Sequence, residues 1–219
     1  VFSVQGSVTI RDAVLDGNSA RRGGALWVAG DLTVERVRFE SNVADDGSGG
    51  AVYLETEFTV DASADIRGAT FLENSASNSG GAMYIDPMSA RLDVRIADSS
   101  FRENIAGTSD SRGGGAINSF GNLTIEDCTF EGNAAHQGGA IRASDFKGGG
   151  IDIIRASSFS NNSATNRGGA LDLSGIDGLL IESTTFTANS SAGNAGAIRL
   201  LNMEVVLDDV ALNGNSSEG

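Results

Sequence analysis

Apolar residues in this chain fall at alternate positions, skip one, and alternate again, and the arrangement returns eight times. In the first copy they are Val8, Ile10, Ala13 and Leu15; in the second, Leu32, Val34, Val37 and Phe39; in the last, Val205, Leu207, Val210 and Leu212. Alternation with period two and many β-branched residues is a strand signal, and the skipped residue marks a bend between two short strands. The sixth copy breaks the rule by placing Asp152 at the first apolar position. No stretch carries a sustained helical stripe, so helices should be nearly absent.

Each copy closes on a large apolar residue followed three positions later by asparagine: Phe39/Asn42, Phe71/Asn74, Phe101/Asn104, Phe130/Asn133, Phe159/Asn162 and Phe186/Asn189. Leucine replaces phenylalanine in Leu15/Asn18 and Leu212/Asn215. Between copies stands Gly-Gly-Ala plus an aliphatic residue, whose second glycines are Gly24, Gly50, Gly81, Gly115, Gly139 and Gly169. A degenerate copy, Ala195-Gly196-Ala197-Ile198, ends the series. Successive asparagines lie 24, 32, 30, 29, 29, 27 and 26 residues apart. A period in this range signals a solenoid, because one unit cannot bury its own apolar face. With the glycine word opening a third strand, the pattern predicts an all-β parallel β-helix of about eight coils, three short strands per coil. Coils spaced about 4.8 Å apart give a rod roughly 38 Å long. Residues 1–219 read as a single domain, and with no polar cap at either end the chain is expected to be part of a longer protein.

The repeated residues have structural explanations. Stacked phenylalanines bury area and add ring contacts. Asparagine at the turn tolerates left-handed geometry and can form a ladder of side-chain amides. Paired glycines serve a positive φ or a corner with no room for Cβ. Cys128 shares its column with Ala13, Val37, Ala69, Ser99, Ser157, Thr184 and Val210, and reads as a small buried filler.

Composition narrows the function. Fifteen basic residues against twenty-nine acidic ones give a net charge of −14, with Lys147 the single lysine. That balance disfavours nucleic acid and anionic membranes as partners. The lone cysteine rules out an intrachain disulfide framework, and no apolar run is long enough to span a bilayer.

The pairing of Gly-Gly-Ala-(Ile/Leu/Val/Met) with Phe-x-x-Asn, repeated from Val8 to Asn215, resembles the polymorphic outer membrane protein repeats of chlamydial surface proteins. The resemblance implies a right-handed β-helix, an extracellular or cell-surface setting, and frequently adhesion. Chlamydial members carry the rod ahead of a membrane barrel, and no barrel-like region is present in these residues. Leu15, Leu212 and Ala195 depart from the pattern.

Right-handed β-helices also carry polysaccharide lyases and hydrolases, which need paired carboxylates or acidic calcium ligands beside a base. The acidic pairs Asp45-Asp46, Glu126-Asp127 and Asp208-Asp209 do not converge, and His136 sits at a corner. No catalytic constellation assembles, so the reading is of a non-enzyme. No cofactor is implied, although Asp45-Asp46-Gly47-Ser48 could help hold Ca²⁺. An ice-binding threonine face fails at the outward column Thr9, Thr33, Asp65, Arg95, Thr124, Ile153, Leu180, Val206. Of four glycosylation sequons, Asn189 and Asn215 are ladder residues, leaving Asn122 and Asn161 as acceptors in a eukaryotic secretory route. The expected function is a rigid adhesive or structural scaffold at a cell surface. Its partners would be proteins or glycans at variable loops (53–63, 84–93, 105–113 and 143–151), and neighbouring domains or subunits at the open rod ends. The alternative is a carbohydrate-active β-helix, polysaccharide-binding or lyase-like.

Overall fold

The structure is a computed structural model, described at residues 2–56, 60–107, 113–144, 151–176 and 178–219. Among these there is no helix. The chain winds as a right-handed parallel solenoid with three sheets. The first sheet stacks eight strands, from Phe2–Gln5 through Leu26–Ala29, Val52–Glu55, Met83–Asp86 and Ile117–Ser119 to Ile198–Leu201. Each later strand of this sheet begins at the aliphatic residue of the glycine word. The second sheet holds both flanks of the bend, and in the last two coils the flanks fuse into single strands, Leu179–Thr187 and Val205–Asn213. The third sheet is made of shorter strands that follow the ladder asparagine, such as Val43–Ala44 and Ser75–Ala76. Most of them are two residues long and carry no periodicity, whereas Ala134–Gln137 and Ser163–Arg167 run to four and five residues.

The core follows the alternation. Val34, Ile66, Ile96, Ile125, Ile154 and Ile181 form one buried row, and the six phenylalanines form another at 0% exposure. Consecutive rings are stacked 4.6–4.8 Å apart and within 9° of parallel. That spacing is the coil rise itself, so side chain and backbone share one repeat.

Asp152, expected at a core position, is not buried there. The register between the strands Asn122–Glu126 and Ile151–Arg155 slips by one residue: Leu123 pairs with Ile151, but Thr124 pairs with Ile153. Ile151 fills the core and the bulge turns Asp152 outward.

Candidate functional site

The asparagine column is the continuous polar element of the interior. In each interior coil the side-chain Nδ2 donates to the carbonyl of the Phe-position residue of the preceding coil, as Asn133 does to Phe101 at 3.0 Å. It donates again to Oδ1 of the next asparagine, at 2.9–3.0 Å along the whole column from Asn18 to Asn215. That Oδ1 also accepts the preceding asparagine's backbone N–H at 2.9–3.1 Å. Asn42, Asn74, Asn104, Asn133, Asn162 and Asn189 are wholly buried, with both amide hydrogens and the oxygen satisfied. The expected ladder is therefore present, but the left-handed residue is not the asparagine. It is the residue before it: Gly17, Ser41, Glu73, Glu103, Gly132, Asn161, Ala188 and Gly214 all have φ between 52° and 66°. The asparagine side chain turns inward to its neighbours while the preceding residue makes the corner.

The two glycines of each word divide their tasks. First glycines such as Gly49 and Gly138 take positive φ (70° and 61°). At the second, from Gly24 through Gly50, Gly81, Gly115, Gly139 and Gly169, an added Cβ would collide with the carbonyl oxygen of the matching glycine one coil on. Gly196 would meet Ser216 in the same way. Cys128 is buried, burial pushes its thiol up to about 12, and its sulfur lies against the Glu126 carbonyl oxygen as the Ser157 hydroxyl lies against that of Arg155. It is a filler, as expected.

The other singled-out residues are scattered. Asp46 pairs with Arg21 in solvent, and no group of three metal-ligating side chains occurs among the described residues. His136 touches Thr165 (2.9 Å) and Asn166 (3.2 Å) of the next coil. Glu126 lies buried between Arg95 and Arg155, separated in role from Asp127, which takes the left-handed bend position. Asn161 is exposed, whereas the Asn122 amide donates to Asp93 at 2.7 Å. Of the expected contact loops, residues 57–59, 108–112 and 145–150 lie outside the described residues.

Two surface features escaped the sequence reading. On the outer side of the first sheet, Trp27, Tyr53, Tyr84, Asn118, Arg142, Asp172 and Arg199 stand in register. The last members form a network: Arg142 donates to Asn118 and Gln137, while Arg167 and Arg199 donate to Asp172, which is only 3% exposed. The signal was available, since each residue directly follows the aliphatic of its glycine word.

The second feature is a polar cleft on the outer side of the second sheet. Two adjoining hollows of about 500 and 400 Å³ share Arg91, Asn122 and Asp152. Asp93 Oδ1 accepts from Arg91 Nε at 2.8 Å and from Asn122 at 2.7 Å, while Asp61 accepts the Arg91 backbone N–H at 2.8 Å. Burial by itself would raise the Asp93 pKa, but the hydrogen bonds from Arg91 and Asn122 outweigh it and hold the group below the usual carboxylate range. Asp152 goes the other way: burial first, then the neighbouring Asp93 charge, push it up against the opposing pull of Arg91. Phe120 and Pro87 supply an apolar wall at one end. The cleft draws its residues from four successive coils, and only the register brings them together.

The architecture defines a parallel β-helix of near-identical coils. Within that class, residues 127–144 and 156–173 match the family model described as the Chlamydia polymorphic membrane protein repeat, which supports a β-helix built on repeats of that kind. The matched stretches carry Phe130, Asn133, Gly139 and Phe159, Asn162, Gly169, the ring, ladder and glycine positions of two adjacent coils. No curated protein and no solved structure matches the chain.

Proposed function

We propose that the protein is a surface-displayed β-helical rod that acts by rigid presentation and adhesive contact rather than by catalysis. The observation that carries this reading is the match of two coils to the repeat of Chlamydia polymorphic membrane proteins. Physical support comes from the division of labour along the chain. The repeated Phe, Asn and Gly columns are occupied in holding coil to coil, so contacts fall to residues that do not repeat. A net charge of −14 keeps such a surface soluble and directs it away from nucleic acid.

Antibody labelling of intact source cells, paired with binding of rod-coated beads to cell surfaces, tests the reading. Labelling of intact cells and bead binding above uncoated controls are expected. Labelling only after permeabilisation, or beads that bind no better than controls, would overturn it. A carbohydrate-active protein is the second reading, favoured by the polar cleft.

A further inference from the structure

We propose that the cleft built by Asp61, Arg91, Asp93, Asn122 and Asp152 is a binding site for an uncharged saccharide chain lying along the rod axis. This inference rests on the adhesive reading above and names the ligand of its contact surface.

Four observations converge on that class. The cleft spans the coils of Asp61, Arg91, Asn122 and Asp152, three coil steps or about 14 Å. One coil step is close to the advance of one sugar ring in an extended chain, so each ring meets a fresh row of side chains. The combined hollows are of the size that holds a small ligand, yet their lining is carboxylate, guanidinium and amide. Apolar ligands need the opposite, and hydroxyl-rich ones need this mixture of donors and acceptors.

Charge selects within the sugars. Arg91 is engaged by Asp93 and Arg67 by Asp65, while Arg95 shares Glu126 with Arg155, so the three guanidiniums of the lining face the four carboxylates of Asp61, Asp65, Asp93 and Asp152. Asp61 and Asp152 form no ion pair among the described residues and leave the cleft negative. Uronate or sulfated chains would be repelled. The bulge contributes the fourth observation. A strand in regular register would have sent Asp152 into the core, and the extra residue instead sets its carboxylate on the cleft rim, accepting no hydrogen bond from a described residue.

The test is titration calorimetry of the whole chain with linear uncharged oligosaccharides (cello-, xylo-, manno- and chito-tetraose and -hexaose), with oligogalacturonate as the anionic comparator. At least one uncharged chain should bind and oligogalacturonate should not. Asp152→Ala and Asn122→Ala should each weaken binding by about tenfold or more. Asp152→Ala should melt at the wild-type temperature, which separates lost binding from lost fold. No binding of any uncharged chain, stronger binding of oligogalacturonate, or affinity unmoved in both variants would overturn the proposal. Beads that adhere to cells equally with and without Asp152→Ala would sink the cleft assignment while leaving the adhesive reading standing. Saccharide binding by a rod that is never exposed on cells would do the reverse.

Discussion

Left-handed backbone recurs at three fixed places in most coils: the bend, the residue before the ladder asparagine, and the first glycine of the Gly-Gly-Ala word. At the bend it is taken by Asp12, Arg36, Gly68, Asp98, Asp127, Ala156, Ser183 and Asp209. Chemistry there is free because these side chains point away from the core, and for that reason the bend was legible only as a skipped beat. The glycine word is stricter. Ala195 stands where six other coils have glycine and holds φ at 64° with a Cβ in place. Ala195→Gly should therefore relieve strain and raise stability by up to about 1 kcal/mol, read from urea unfolding. A drop in stability would contradict the assignment. Gly139→Ala should do the opposite, since its new methyl would meet Gly169 and Ser163 backbone, which cannot yield as a flexible side chain would. A loss of about 4 kcal/mol or more is expected, against no measurable change for Thr165→Ser at an exposed position.

Strands bring different forces into play. The phenylalanine stack couples five consecutive coil interfaces, so Phe130→Ala removes a ring packed on both faces. Its cost should be about 3–5 kcal/mol in chemical unfolding, and Leu212→Ala, half exposed in the last coil, should cost clearly less. Equal costs would show that the stack is not continuous. Glu126 adds a pH dependence. Its burial would raise the carboxyl pKa, but hydrogen bonds from Arg155 and Arg95 prevail and lower it. A carboxylate whose pKa falls on folding contributes stability that is complete above its unfolded value and is lost as pH drops through the folded value. Glu126→Gln should therefore lower the melting temperature at neutral pH and shrink the fall seen on acidification below the ordinary glutamate range. Parallel melting curves for both proteins across that window would refute it. At this scale the columns were readable because one register error would turn every side chain over. The bulge at Asp152 showed only as a broken alternation, because in a period that already varies an extra residue cannot be told from a charge at a core position.

For the whole molecule, the coil stack explains both what was foreseeable and what was not. Rod shape, sheet direction and the buried asparagine column follow from repetition, which the recurrence of eight copies announces. The polar cleft depends on superposing Asp61, Arg91, Asn122 and Asp152, residues about a coil apart that share no motif. Their proximity becomes visible only when unequal loops are taken up and the register is known. The Asn118–Arg142–Asp172 network on the first sheet differs, because each of its residues directly follows the aliphatic of a glycine word and so holds a fixed place in the repeat. No group of three histidine, cysteine or acidic side chains gathers among the described residues, and excess chelator is expected to leave the melting temperature unchanged. A fall would place a structural ion on this rod.

The central claim is that the repeated residues hold the rod together and leave contact to the residues that do not repeat. Equilibrium unfolding of Asn133→Leu tests it most directly. The substitution strands the Phe101 carbonyl and the Asn104 backbone N–H and amide, all buried. At roughly 1–3 kcal/mol per stranded group, the expected loss is about 3 kcal/mol or more. A variant as stable as the wild type that has lost its binding to cells would contradict the claim, because it would make the asparagine column a contact surface rather than the spine of the fold.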